Sequence, residues 1–177
     1  MSEPTATAIK QIVDDDVDDQ LDREIRDLLS TCFVKPGDEV FRERRYFTEM
    51  PSRRWLLRSD GRLVAHVAAH ERTIEGGMRM LGIAEVCVLP THRGRGLARA
   101  LLATVHEWGI GAGFDFATLF GRREIYASSG YQTCPAGVMV RDGGSESVFR
   151  PAGDLLIHRL GVLNWPKRVV DLRGPVF

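Results

Sequence analysis

Between one apolar stretch and another the chain places LPTHRGRGLARALL, running from Leu89 to Leu102. Its first half holds Arg93, Gly94, Arg95 and Gly96, and its second half has helical composition. A glycine-rich turn leading into a helix makes an anion site, because the first backbone N–H groups of a helix have no intrahelical partners and the helix dipole adds partial positive charge. Gly94 and Gly96 let the backbone curl round an oxygen-rich group, and Arg93 and Arg95 can add charge-assisted hydrogen bonds. The ligand such a turn suits is a pyrophosphate. No Gly-Lys-Ser/Thr follows and the Gly-x-Gly-x-x-Gly spacing is absent, so this is neither a Walker loop nor a dinucleotide fingerprint. A plain strand-to-helix turn is the alternative. A second feature lies just upstream. Glu85 is the one carboxylate in the apolar run GIAEVCV. An isolated carboxylate there is costly unless it pairs or works, so Glu85 is either a base or half of a salt bridge to an arginine. His66 and His70, in LVAHVAAHER, are four apart and share one face of a strand. They are alternate bases or hydrogen-bonded core histidines.

Elements to position these residues are legible around them. ATAIKQIV can form a first strand. DDDVDDQLDREIRDLLSTCF carries Val17, Leu21, Ile25, Leu28 and Leu29 at helical spacing, with Asp14 to Asp19 gathered at its N-terminus, where the dipole favours them. Pro36 and Gly37 break that helix, and EVFRERRYFTEM is expected as a second short helix. KPGDE is then a loop, with Asp38 either an exposed carboxylate or the cap of the helix after it. RRWLLRSDGRLVAHVAAHERTI reads as two strands about a Ser-Asp-Gly turn. EGGM is a further turn, and about Arg79 to Leu89 is a long apolar strand. The helix after the glycine turn shows an apolar face of Leu97, Ala100, Leu101, Leu102, Ala103 and Val105, and stops near Gly109, Gly111 and Gly113. FDFATLF is a strand, REIYASSGY a short helix ended by Gly130, and VMV and DLLIHRL closing strands. The tail NWPKRVVDLRGPVF is apolar enough to be expected on the body from about residue 160, whereas Met1 to Ala6 reads as frayed. Strands that alternate irregularly with helices, with hairpins between, define an α/β chain with a mixed, partly antiparallel sheet covered by helices.

Length and composition bound the rest. The 177 residues suit one compact domain, residues 1–177. The 24 basic and 24 acidic residues cancel, which leaves no electrostatic footprint for nucleic acid. Cys32, Cys87 and Cys134 have no metal-ligand spacing and read as reduced thiols, so no metal is expected. No signal peptide and no membrane span are seen, and a cytoplasmic protein is expected.

Two separated motifs carry a resemblance. VLPTHRGRGLARALL resembles the coenzyme A loop of the GNAT superfamily of N-acyltransferases, whose Arg/Gln-x-x-Gly-x-Gly/Ala pattern is met by Arg93, Gly96 and Ala98. REIYASSGYQ resembles the superfamily's later x-x-x-Tyr-x-x-x-Gly-Phe/Tyr, and FDFATLF lies between the two as expected. The resemblance covers about Ile9 to Arg159. It implies a largely antiparallel sheet of six to seven strands with splayed central strands and about four flanking helices. It implies acetyl-CoA as co-substrate, with the pantetheine arm on main-chain groups of Val86, Cys87 and Val88. The pyrophosphate would rest on the amides of Arg93, Gly94, Arg95, Gly96, Leu97 and Ala98.

The implied chemistry is direct attack of a primary amine on a thioester. The amine must lose a proton and the thiolate must gain one. By the resemblance Tyr126 is the acid, with a packed aromatic beside Gly130 as the alternative. Glu85 is named as base, acting through a water. FVKPGDEVF, LVAHVAAHERTI and IYASSGYQ look like the aminoglycoside 2'-N-acetyltransferases, in which an aspartate of the loop between the first two helices touches the aminosugar. That residue here is Asp38. Glu85 stands one residue closer to the glycine turn than the glutamate of those enzymes. The tail looks more like the nodulation-factor N-acyltransferases, which acylate a chito-oligosaccharide amine with longer chains. A small-molecule aminosugar is the acceptor both imply. A protein or peptide N-acetyltransferase and a non-catalytic acyl-CoA-binding domain are the other readings. Neither nucleic acid nor membrane is expected as partner, and the oligomeric state is open between monomer and homodimer.

Overall fold

The computed structural model describes residues 8–141 and 146–177. The segment Met1 to Ala6, with the start of the first expected strand, lies outside the described residues. In chain order the elements are β1 (Ile9–Val13), α1 (Asp19–Cys32), β2 (Arg53–Ser59), β3 (Arg62–Thr73), β4 (Arg79–Val88), α2 (Leu97–Gly111), β5 (Phe116–Phe120), α3 (Arg123–Tyr126), β6 (Gln132–Thr133), β7 (Val138–Arg141), β8 (Ser147–Arg150), β9 (Leu155–Arg159) and β10 (Val170–Asp171). Hydrogen bonding orders seven strands as β1-β2-β3-β4-β5-β9-β6, and a second sheet as β10-β7-β8. In the large sheet β1–β2, β2–β3, β5–β9 and β9–β6 pair antiparallel, and β4 and β5 run parallel. That is the mixed, mostly antiparallel sheet with flanking helices that the sequence predicted, with three α-helices rather than about four among the described residues.

The chain forms two compact units, residues 1–69 with 85–104, and residues 70–84 with 105–177. In the first, β1 lies antiparallel to β2, and β2 to β3. Asp60 and Gly61 at the β2–β3 turn have φ of 49° and 78°, the left-handed pair that matches the twist of a tight hairpin. Helix α1 begins at Asp19 because the Asp18 carboxylate accepts the Leu21 N–H at 2.8 Å. It buries Ile25, Leu28 and Leu29. The expectation that Asp14 to Asp19 form one solvated helix start is thus corrected. Asp14–Asp16 form a separate 3-10 turn, and the Asp14 N–H bonds the Ser52 carbonyl at 3.1 Å, continuing the strand pairing instead of starting a helix.

The expected second helix is also corrected. Only Asp38–Arg42 is helical, as a 3-10 turn after Gly37 at φ 97°. Beyond it the carbonyls of Tyr46 and Phe47 accept from the Arg44 guanidinium, and that of Arg45 from Arg54. Acceptors a helix would have used are therefore satisfied by arginine side chains.

In the second unit β5 pairs with β4 over only Met80 to Gly82, and with β9 over its whole length. A core of Ile74, Met80, Phe116, Val138, Val140 and Leu155 includes Val170 and Leu172 from the tail. Strand β10 adds parallel to β7, Trp165 sets its ring edge-on to Phe116 at 5.1 Å, and Phe177 lies 5.2 Å from Phe120. A Cβ on Gly82 would meet the Phe177 ring at 2.7 Å, so the last position at which β4 pairs with β5 must be glycine for that ring to lie there.

Candidate active site

Strand β4 is kinked at Glu85, whose φ of 52° lies in the left-handed region that non-glycine residues rarely adopt. Strain of this kind costs about 1–3 kcal/mol and survives only where neighbours over-determine it. Here they do. The Glu85 carbonyl accepts from His66 Nδ1 at 2.9 Å, and its carboxylate accepts the Phe47 N–H at 3.0 Å and Arg54 Nη1 at 3.3 Å. The Glu85 side chain is only 5% exposed. Burial pushes its carboxyl up to about 7, against the opposing pull of Arg54 and the Phe47 amide. Glu85 thus has the arginine partner of the salt-bridge reading, with its carboxyl raised to about 7.

Arg54 is the centre of the surrounding network and is fully buried. Its Nε donates to Asp14 Oδ1, Nη1 is shared between His66 Nε2 at 3.0 Å and Glu85, and Nη2 donates to the Arg45 carbonyl at 2.9 Å. Asp14, 2% exposed, also accepts from Arg45 Nη2 at 2.6 Å and Nε at 3.1 Å. Burial raises the Asp14 carboxyl, but the Arg45 hydrogen bond and the Arg54 charge outweigh it and leave it below the ordinary range. Arg45 also bonds Asp22 of α1 at 3.0 Å. A guanidinium can only donate, so His66 accepts at Nε2 and its proton sits on Nδ1, facing the Glu85 carbonyl. Burial, reinforced by the Arg54 charge, pushes His66 down to about 3. With both ring nitrogens committed, His66 is a neutral strut rather than an alternate base. His70 is buried in the second unit, its ring 6.0 Å from Phe177.

After the kink, Val86 and Val88 are half-buried and Cys87 is buried. The Val88 carbonyl accepts from Arg93 Nε at 3.1 Å. A 3-10 turn at Pro90–His92 leads to Gly94 and Gly96, with φ of 76° and 74°. A Cβ at either would meet no protein atom within 4 Å, so it is backbone conformation, not crowding within the chain, that calls for glycine. The Gly96 carbonyl accepts from the Ala100 N–H at 3.0 Å, which starts α2. Arg93, Gly94, Arg95 and Gly96 are exposed, and Leu97 and Ala98 half-buried, so the unpaired amides of the α2 N-terminus open beside solvent. Cys32, the last residue of α1, hydrogen-bonds the Cys87 thiol, and that bond and the Arg93 charge bring it down to about 7. All three cysteines are free.

Asp38 lies in the loop predicted for it, but its Oδ2 accepts the Lys35 N–H at 2.8 Å while its own N–H bonds the Lys35 carbonyl at 3.0 Å. It closes that loop, and the cap position of the following turn belongs to Gly37. Ser30, Phe33, Lys35, Asp38 and Arg42 line a cavity of about 90 Å³ there. Tyr126 belongs to the second unit. It ends α3, is half-buried, and lies edge-on to Tyr131 with centroids 6.1 Å apart. A Cβ on Gly121 would meet its ring at 2.9 Å. The buried Tyr131 hydroxyl bonds His106 Nε2 at 2.9 Å, and His106 stacks on His158 at 4.0 Å. The structure thus brings Glu85, Val86, Cys87, Val88, the glycine turn and Asp38 into the first unit, and leaves Tyr126 in the second.

Asp14, Arg45 and Arg54 were not singled out from the sequence. One signal was available for Arg54. In the β2–β3 register Arg54 faces Ala68 and Leu56 faces His66, so Arg54 and His66 are diagonal neighbours on one face. A strand arginine beside a strand histidine among apolar residues marks a buried polar pair.

The comparisons bear on family and fold. Residues 9–134 match the family model of the GNAT acetyltransferase domain. No curated protein matches the chain in sequence. Among solved structures, the GNAT family N-acetyltransferase YhbS of Escherichia coli, in complex with CoA, superposes with a TM-score of 0.72 at 19% identity, covering 97% of this chain and 93% of that one. A GNAT family acetyltransferase of Brucella melitensis, in complex with acetyl-CoA, gives 0.62 at 18% identity over 92% and 94%. Escherichia coli ElaA gives 0.64 at 13% identity over 86% and 99%. The fold and the family match define an acyltransferase of the GNAT type. The chain belongs to the GNAT acetyltransferase family.

Proposed function

We propose that the chain transfers an acetyl group from acetyl-CoA to a primary amine of a small molecule, an aminosugar or aminoglycoside being the class its resemblances favour. The observation that carries this reading is Glu85: a buried carboxylate at a left-handed residue of β4, raised to about 7, with an exposed glycine turn after that strand. A base is most effective with a pKa near the working pH. The pyrophosphate of the donor lies on the amides from Arg93 to Ala98, and its pantetheine arm along Val86, Cys87 and Val88. Glu85 takes the ammonium proton through a water, the free amine attacks the thioester carbon, the C–S bond breaks, and the thiolate gains a proton as the amide nitrogen loses its extra one; the resemblance gives the acid role to Tyr126. Asp38, in a loop with Lys35 and Arg42, faces the acceptor. The two sequence motifs, and two solved structures of like fold that hold CoA or acetyl-CoA, support the donor. The acceptor rests on the subfamily resemblance.

The test is thiol release from acetyl-CoA by the purified chain with a panel of aminosugars, aminoglycosides, amino acids and peptide amines. Saturable turnover with an aminosugar, at a kcat/KM at least about tenfold above peptide amines, is expected, that margin being a modest 1.4 kcal/mol of transition-state preference. Preference for peptides would overturn the acceptor, and no turnover with any amine would overturn the activity.

A further inference from the structure

Arg54 serves its four acceptors unequally. Nε donates to Asp14 and Nη2 to the Arg45 carbonyl. The two N–H groups of Nη1 serve His66, the nearer at 3.0 Å, and Glu85, the farther at 3.3 Å. Asp14 in turn holds a second guanidinium, Arg45, which is 17% exposed and itself tied to Asp22. Two buried carboxylates therefore divide one buried cation, and Asp14 has the better share.

We infer that Asp14 and Arg45 are positioning residues for the base: by engaging Arg54 from the side away from Glu85, Asp14 keeps the Arg54–Glu85 pair long and weak, and Arg45 sets how firmly Asp14 needs Arg54. The inference rests on Glu85 being the base. A Glu85 in full bidentate contact with Arg54 would be a much weaker base, since a close arginine lowers a carboxylate by about 1–3 pH units. A Glu85 with no cation would stay protonated at neutral pH. The charged and titratable groups around Glu85 are Arg54 from β2, His66 from β3, Asp14 from the turn after β1, Arg45 from the segment before β2, and Cys87 from its own strand. His66 is neutral across the working range and the Cys87 thiol is raised, so Asp14 and the two arginines set the balance.

The experiment is the pH profile of kcat/KM for four proteins: the native chain, Asp14→Asn, Arg45→Gln and Glu85→Gln. Asp14→Asn frees Arg54 for Glu85, and its acid limb moves down by roughly one pH unit. Arg45→Gln removes a competing cation, draws Arg54 toward Asp14, and moves the limb up. A variant that merely loosened the fold would not shift the limb in opposite directions. Should Asp14→Asn fail to fold, the partly exposed Arg45→Gln carries the test. Limbs that coincide with the native one, while Glu85→Gln abolishes it, overturn the inference and leave the base standing. A limb that persists in Glu85→Gln overturns the base itself.

Discussion

A raised carboxyl is a liability to the fold, and Glu85→Gln exposes its size. Burial lifts Glu85 from an ordinary 4.5 to about 7. A carboxyl whose pKa is higher folded than unfolded holds its proton more tightly in the native state. Its contribution to stability is complete below about pH 4.5 and is lost as pH rises through 7. Between pH 5 and pH 8 the native chain should lose about 2–3 kcal/mol through this group, from 1.36 kcal/mol per pH unit integrated across the two values. Glu85→Gln has no proton to lose there. The groups the two proteins share, among them Asp14, lowered by its arginines, and His66, lowered by burial, largely cancel in the comparison. The hydrogen bonds from Phe47 and Arg54 that glutamine accepts less well add an offset that does not vary with pH. Urea unfolding of both proteins at pH 5, 6, 7 and 8 therefore reads a difference that grows in favour of Glu85→Gln. For a chain of this length it corresponds to about 5–10 °C in Tm. A difference that stays constant from pH 5 to pH 8 would refute the claim that Glu85 is held protonated by burial, and with it the poised base.

Three further outcomes are expected. Gly96→Val places a β-branched residue at φ 74° and a side chain over the open face of the turn, so calorimetry should show acetyl-CoA affinity reduced at least about tenfold; unchanged affinity in a folded variant removes the turn from the site. Tyr126→Phe keeps the ring against Gly121 and Tyr131 and should lower kcat by roughly tenfold or more with acetyl-CoA affinity little changed; an unaffected kcat, with chemistry limiting, leaves Tyr126 a packing residue. Asp38→Asn can still accept the Lys35 N–H through its amide oxygen, so the loop should hold while the acceptor KM rises; an unchanged KM across aminosugars leaves Asp38 as the closure of its loop alone.

What could be read from the chain was local. Gly94 and Gly96 announced a turn that needs left-handed backbone, Gly130 a helix stop, and Ser59, Asp60 and Gly61 a hairpin, and each stands where its conformational preference puts it. The strand and helix periods of β4 and α2 gave those elements almost residue by residue. The short strands β6, β8 and β10 went unread, because two to four residues give no period to count. The segment after Arg42 failed for another reason. Its composition suits a helix, yet Arg44 and Arg54 supply the hydrogen bonds its carbonyls need, and tertiary contacts overrode local preference.

The candidate site divides along the same line. Glu85 was legible because a lone carboxylate in an apolar strand is an energetic anomaly that demands an explanation wherever the strand ends up. Asp14 was not, because it stands at the edge of an acidic run where four other aspartates make it look ordinary. Its neighbours Asp15 and Asp16 are exposed, while Asp14 alone takes two guanidiniums from residues 31 and 40 positions away. Composition hides such a residue, since the run as a whole satisfies the rule for a helix start and Asp18 does cap the helix. The distinguishing fact is a register: β1 pairs antiparallel with β2 so that Val13 faces Arg53, which sets Asp14 opposite Ser52 and leaves Arg54 as its diagonal neighbour. The charge balance around Glu85 is therefore set by strand pairing, and it becomes visible only once the pairing is known.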